Sequence, residues 1–227
     1  MISGPWPVER HRGAASTFHA LEVPDPPTTE LWWFEVERPS VVLGSTQRPE
    51  VVDADAARAG GVEVARRRSG GGAVWLEPGA VLWVDVVLPA TAPRWEHDVG
   101  RSFAWLGRAW AAVVGELGIP GAVAHEGPLL RRRWSELVCF AGLGPGEVTV
   151  DGRKVVGIAQ RRTRTAARFQ CALLLHWDPA PLLDVLALAA DERAQARTDL
   201  ADVAIGVGPV DGRRVVDLLR TALTASD

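Results

Sequence analysis

The residues that could carry chemistry in this chain are a cysteine and the only lysine among 227 residues. Cys139 lies fifteen positions before Lys154, and a hairpin between them could bring the two side chains together. A thiol beside a cation ionises more readily and becomes a usable nucleophile. A buried cysteine, however, often acts only as a small hydrophobic residue, and a strand-end lysine is often solvated. On the solvated reading, replacing Lys154 by alanine would leave stability almost unchanged.

A second candidate is the run of three glycines at 70–72, which follows three arginines at 66–68 and Ser69. A backbone with almost no side chains can approach another group very closely. The spacing matches neither the Walker phosphate loop nor the dinucleotide-binding glycine motif. The run is therefore either a glycine-rich turn between strands or a loop whose N–H groups close over a carboxylate or phosphate. In the second case we expect the arginines at the rim.

Composition excludes several classes of protein. A net charge of −3 argues against a protein held on nucleic acid by bulk charge. The apolar run around Asp85 is too short to span a membrane. Two cysteines and no recognisable signal segment indicate a cytoplasmic protein with reduced thiols, and the histidines show no metal-ligand spacing. The arginine-rich stretches at 131–133 and 160–168 indicate solvated faces, or a basic surface for an acidic carrier or acceptor protein.

The elements that must position these residues are short strands and a few helices. The clearest predicted helix covers 98–121, where apolar residues recur every three or four positions, and Gly118 and Pro120 end it. The pair Asp151-Gly152 predicts a tight hairpin turn just before Lys154. Other predicted elements are strands at 31–37, 40–45, 61–67, 72–89, 146–150, 153–162 and 168–178, and helices at 53–60, 178–191 and 211–225. One α+β domain over 1–227 is the simplest interpretation.

Three segments together resemble the lipoate–protein ligase/octanoyltransferase family, relatives of biotin–protein ligase. They are "VVLGSTQ", "RRRSGGGAV" and "VDGRKVVGIAQRRT", and the match is strongest over 33–177, with C-terminal helices over 178–227. The resemblance implies a single catalytic domain with a mixed β-sheet and flanking helices. In it the glycine loop and the lysine strand enclose an acyl chain. The implied substrate-binding residues are Arg67, Ser69, Gly70, Gly71, Gly72, Ala73, Gly157, Ala159 and Gln160.

The segment from Cys139-Phe140 to "GEVTVDGRK" resembles the cysteine-dependent octanoyltransferases, in which "CF" precedes "YE…GRK". The resemblance implies that the Cys139 thiolate takes an octanoyl group from an acyl carrier protein. Lys154 and backbone amides would stabilise the oxyanion. The acyl group then passes to a lysine of a lipoyl-domain protein. The starting thioester is already activated, so this reaction needs no cofactor.

Two other functions stay open. A lipoate–protein ligase would use ATP and Mg²⁺ to form lipoyl-AMP from free lipoate, with Lys154 against the phosphate. The loop "SGGGA" is ligase-like, whereas only about 50 residues follow Trp177, which favours the transferase or a ligase with a partner subunit. A non-catalytic module that binds acylated or lipoylated proteins is the third possibility. It is kept open by two departures from the family pattern, Trp75-Leu76-Glu77-Pro78 in place of His-Asp and Cys171-Ala172 in place of His-Gly.

Overall fold

Two β-sheets form the frame of the chain, and helices pack on them. The computed structural model describes residues 6–225. Its strands are β1 (Val8–Gly13), β2 (Glu30–Val36), β3 (Ser40–Leu43), β4 (Glu63–Arg66), β5 (Val74–Leu76), β6 (Val81–Pro89), β7 (Ala122–Ala124), β8 (Val148–Val150), β9 (Arg153–Arg162) and β10 (Ala166–Leu174). Its α-helices are α1 (Ala15–Ala20), α2 (Ala54–Ala59), α3 (Ala104–Glu116), α4 (Ala180–Val185), α5 (Ala190–Leu200) and α6 (Gly212–Ala225).

The larger sheet has seven strands in the order β1-β2-β6-β10-β9-β8-β7, and the smaller has the order β4-β3-β5. Both sheets are mixed, since β1 runs parallel to β2 and β3 parallel to β4 while the other pairings are antiparallel. Helices α3 and α6 cover the larger sheet with fully buried side chains such as Trp110 and Leu219. The α+β class with a mixed sheet and flanking helices is confirmed.

A short helix and a hairpin turn form where local sequence signals predict them. The Asp53 side chain accepts hydrogen bonds from the N–H groups of residues 55 and 56, and Gly60 follows the last turn of α2. Asp151 and Gly152 take φ values of +50° and +75°, as a tight hairpin turn requires. This turn joins β8 to β9 and makes Lys154 the second residue of β9.

The helix predicted over 98–121 is shorter at both ends. The Asp98 carboxylate accepts from the N–H of Arg101, the first residue of a separate 3₁₀ turn, and α3 begins only at Ala104. The helix ends for the expected reason, because Gly118 has a φ of +88°, which a helix cannot contain.

The single helix predicted over 178–191 is wrong. Here α4 ends at Val185, whose carbonyl accepts from the N–H of Asp53, and the N–H of Ala187 donates to Val51. These pairings hold Leu186 in an isolated antiparallel bridge with Val52, and α5 starts afterwards. The C-terminal helix predicted over 211–225 is confirmed as α6.

A buried ion pair joins β10 to β6 and holds α1 against them. The Arg168 guanidinium contacts the Asp85 carboxylate at 2.5 Å, and both side chains are almost completely buried. Arg168 also donates to the carbonyls of Phe18 and Leu21, at the end of α1. This fixes the position of His19, the neighbour of Phe18. Within residues 6–225, no helix has the length and apolar character needed to cross a bilayer.

Candidate functional site

Cys139 stands at the start of a short 3₁₀ turn, held against the glycine loop by backbone pairing. The N–H of Cys139 donates to the carbonyl of Ala73, and the N–H of Ala73 donates to Leu137. Ala73 and Val138 thereby form a short parallel β-bridge. Cys139 is a free, half-buried thiol. Ala73 is fully buried, so its place is behind the site wall, where it aligns the loop with Cys139.

The glycines at 70–72 are needed for close approach of two backbones. A Cβ on Gly72 would lie 2.7 Å from the backbone of Val138. Gly71 has a φ of +100°, and a Cβ there would lie 3.8 Å from the Cys139 sulfur and 2.9 Å from Arg67 Nη2. Gly70 has open space around it. The loop is therefore more than a turn, because it packs its bare backbone on the segment that carries Cys139.

The expectation that all three arginines lie at the rim is wrong for Arg67. Its side chain is buried and donates to the carbonyls of Gly70 and Gly72, both at 2.8 Å, and to Val42. Arg67 thus holds the glycine loop from inside. The neighbouring Ser69 is also buried, and its hydroxyl donates to Gln170 Oε1 at 2.7 Å.

Lys154 is buried rather than solvated, which corrects the strand-end interpretation. Its side chain is 3% exposed, and its ammonium lies 2.7 Å from Glu147 Oε1. The ammonium also donates to the carbonyls of Cys139 at 3.1 Å and Gly142 at 3.2 Å. A lysine has three N–H donors, so these three acceptors use all of them. Lys154 therefore fixes the turn that carries Cys139.

Glu147 is the main site residue that sequence analysis missed. Besides pairing with Lys154, its buried carboxylate accepts from the N–H groups of Gly144 at 2.6 Å and Ile158 at 3.1 Å. The available signal was the glutamate of the "GEVTVDGRK" segment, seven residues before Lys154. Gln47 was also missed as a functional residue. Its side chain ties Gly44 to the carbonyls of residues 136 and 137 in the site wall.

Two separate spaces both have Cys139 in their lining. The first is an open cleft of about 760 Å³ that also contacts Glu147 and Gln47. Of the predicted site residues, it is lined by Gly70, Gly71, Gly72, Cys139, Lys154, Ala159 and Gln160. The second is a narrow, largely apolar cavity of about 50 Å³ between the two sheets, and its predicted site residues are Arg67, Cys139, Gly157 and Ala159. Cys139 and Ala159 line both spaces.

The two departures from the family pattern have different positions. Trp75 donates to Glu77 at 3.1 Å, and both line a separate surface pocket beside α4, away from the cleft. Cys171 lies in the larger sheet, where complete burial raises the pKa of its thiol far above the usual range. Cys171 is therefore inert as a nucleophile, although it is one of the residues around the narrow cavity. No cluster of three or more metal-ligating side chains occurs within residues 6–225.

The sequence of this chain is similar to a known protein family and to several known proteins. The lipoyl protein ligase A/B catalytic domain family matches residues 16–206. An octanoyltransferase LipM of Kyrpidia tusciae is 30% identical over 204 residues, which are 86% of this chain and 73% of that protein. An octanoyltransferase LipM of an Exiguobacterium species is 29% identical over 173 residues, 74% of this chain. The match spans 62% of the Exiguobacterium protein, less than two thirds of its length.

The fold also agrees with solved structures. The bipartite lipoate protein ligase of Thermoplasma acidophilum superposes with a TM-score of 0.73 at 20% identity, over 97% of this chain and 83% of that one. A lipoate-protein ligase A bound with ATP superposes with a TM-score of 0.60 at 18% identity, over 97% and 94%. The match over residues 16–206, together with the relative that is 30% identical over 204 residues, shows that this chain belongs to the lipoyl protein ligase A/B catalytic domain family.

Proposed function

We propose that the chain is an acyltransferase that carries an octanoyl or lipoyl group on Cys139 and passes it to a lysine of a lipoyl domain. One observation carries this proposal: the only half-exposed thiol within residues 6–225 lines both the open cleft and the narrow apolar cavity. An acyl chain in the cavity would present its carbonyl at the sulfur, and the cleft would admit the donor and the acceptor. The names of the octanoyltransferase relatives support the same reaction.

The chemistry follows in two steps. The Cys139 thiolate attacks the carbonyl of an acyl thioester, a new carbon–sulfur bond forms, and the carrier thiolate leaves and takes up a proton. The amine of the acceptor lysine then attacks the acyl-enzyme. An amide bond forms, the amine loses a proton, and the Cys139 thiolate leaves. Gly71 and Gly72 lie against Cys139, and their backbone N–H groups are the proposed oxyanion donors.

Lys154 takes a positioning role in this proposal. Its three donors are committed to Glu147 and to the carbonyls of Cys139 and Gly142. It therefore holds the nucleophile's turn in place and does not itself reach the acyl carbonyl. This differs from the direct oxyanion role that the family resemblance implies.

The same contacts favour the transferase over an ATP-dependent ligase. A ligase would need Lys154 to face a phosphate and Mg²⁺ to bind beside it. Here the Glu147 carboxylate lies 2.7 Å from the ammonium and would repel a phosphate at that position. The ligase remains the second candidate because of the Ser-Gly-Gly-Gly-Ala loop at 69–73 and the fold shared with lipoate ligases.

The partners follow from the chemistry. We propose an acyl carrier protein as donor and a lipoyl-domain protein as acceptor, with no cofactor beyond the thioester itself. For the ligase, free lipoate, ATP and Mg²⁺ would replace the donor.

The test is to incubate the protein with an octanoyl carrier protein and to measure its intact mass. We expect a gain of one octanoyl group in place of a proton, absent in Cys139→Ser and retained in the matched control Cys171→Ser. A gain that persists in Cys139→Ser would refute the covalent route. Release of AMP with free lipoate and ATP would establish the ligase instead, and absence of both signals would leave a binding module.

A further inference from the structure

A buried nitrogen beside the narrow cavity has no role in the proposed reaction. His19, the next-to-last residue of α1, is 7% exposed and lines this cavity with Trp83 and Phe140. Among the residues that the structure describes, none pairs with His19 Nε2. A buried polar nitrogen without a hydrogen-bond partner destabilises a protein, and a bound ligand that pairs with this nitrogen would remove that cost.

The hydrogen-bond network defines what His19 can offer. The Ser69 hydroxyl donates to Gln170 Oε1 at 2.7 Å, so the amide nitrogen of Gln170 faces His19 Nδ1 at 3.0 Å. Nδ1 therefore accepts, and Nε2 carries the ring hydrogen. Burial, then the nearby Arg168 and Arg67, lower the pKa of His19 to about 3, so the ring is neutral near pH 7. His19 thus offers one fixed N–H donor.

The place of His19 in the cavity is set by sheet register. Ala172 of β10 pairs with Gly157 of β9 on one side and with Trp83 of β6 on the other. The His19 ring packs on Trp83, with centroids 4.5 Å apart, whereas Lys154 and the Cys139 turn pack near Gly157. Two strand spacings separate β9 from β6, about 10 Å. Cys139 and His19 therefore line the cavity from the β9 side and the β6 side, and this strand separation is comparable to the length of an extended eight-carbon chain.

The walls between these ends offer almost no polar group. Val42, Val74, Leu76, Phe140 and Ala172 line the cavity from both sheets. A plain alkyl chain along these apolar walls would leave no polar group of the walls unpaired. At its distal end, however, it would leave the His19 N–H without a hydrogen-bond acceptor. An acyl group with an acceptor atom at that end would pair with it.

We propose that His19 is a specificity-determining residue that recognises the distal end of the acyl group and favours a chain bearing a hydrogen-bond acceptor there, such as the dithiolane sulfurs of a lipoyl group, over plain octanoyl. This inference rests on the proposed acyl-binding function of the cavity. Sulfur is a weak acceptor, so the preference is modest, about threefold to tenfold in the affinity ratio.

The test measures binding of the free acids and does not depend on turnover. Isothermal titration calorimetry would give the dissociation constants of octanoate and lipoate for the full chain, for His19→Leu and for His19→Gln. We expect the ratio of lipoate to octanoate affinity to fall about threefold to tenfold in His19→Leu, and to recover in His19→Gln, which restores an N–H donor. Val42→Ala is the matched control, because it enlarges the same cavity without removing a donor.

The outcomes separate this inference from the proposed function. A lower ratio in His19→Leu with an unchanged ratio in Val42→Ala supports the role of His19, whether or not Cys139 is acylated in the mass assay. An equal ratio in the full chain and both His19 variants overturns it. Absence of binding of either acid to the full chain also overturns it, because the cavity is then not an acyl site. Thermal unfolding of each variant checks that it is folded.

Discussion

The contact between Lys154 and Glu147 makes replacement of the lysine a sharp test of the site geometry. Lys154→Met would leave the Glu147 carboxylate buried without its counter-ion, while two N–H groups still point at it. Removing one partner of a buried ion pair costs about 3–5 kcal/mol. A domain has only about 5–15 kcal/mol of stability in total, so the loss would be a large part of it.

The assay is urea unfolding followed by tryptophan fluorescence, with linear extrapolation of the free energy of unfolding. The double variant Lys154→Met/Glu147→Gln removes both charges, and we expect it to recover more than half of the loss. Arg131→Met is the matched control. Arg131 pairs with Glu136 beside the same cleft, but both side chains are largely exposed, so little change is expected.

Two results would refute this reasoning. A loss below about 1 kcal/mol in Lys154→Met would mean that the ammonium is solvated and that the strand-end interpretation was correct. A double variant no more stable than Lys154→Met would show that the carboxylate carries no unpaired-charge penalty. If Lys154→Met does not fold, Glu147→Gln provides the same comparison with one charge removed from the other side.

Three further predictions concern the loop, the histidine and the second cysteine. Gly72→Ala should strongly reduce acylation of Cys139 in the mass assay, because its Cβ would lie 2.7 Å from the backbone of Val138. Gly70→Ala is the control, since its Cβ would lie in open space and the variant should fold normally. Equal acylation of the two variants would contradict the close packing at Gly72. The pKa of His19 is lowered to about 3 in the folded state, so below about pH 6.5 the unfolded chain binds a proton that the folded chain does not. The free energy of unfolding should therefore fall between pH 6.5 and 5 by about 2 kcal/mol more in the full chain than in His19→Gln. Parallel stability curves for the two proteins would contradict this. Cys171→Ser should retain acylation but unfold at lower urea concentration, because it places a hydroxyl in a fully buried apolar position; lost acylation in a folded variant would give Cys171 a direct role.

Several features of the site could be predicted from short stretches of sequence. The Asp151-Gly152 turn, the glycine run and the short helix capped by Asp53 each depend on residues within a few positions of one another. Backbone conformations that only glycine or a capping side chain allows are local properties, so a single sequence reveals them. The hairpin between Cys139 and Lys154 likewise indicated that the two residues could come together, and the lysine ammonium does bond the backbone carbonyl of Cys139.

The contacts that give the site its chemistry depended on tertiary structure. His19 meets Gln170 across 151 positions of sequence, and Lys154 is buried because the turn at 139–142 closes over its ammonium. The break between α4 and α5 likewise arises because Val185 pairs with Asp53. Sequence therefore determined which residues could react and where the backbone turns. Only the packing of the two sheets decided which charges were paired and which nitrogen was left unpaired, because desolvation and long-range pairing depend on what the fold places beside each group.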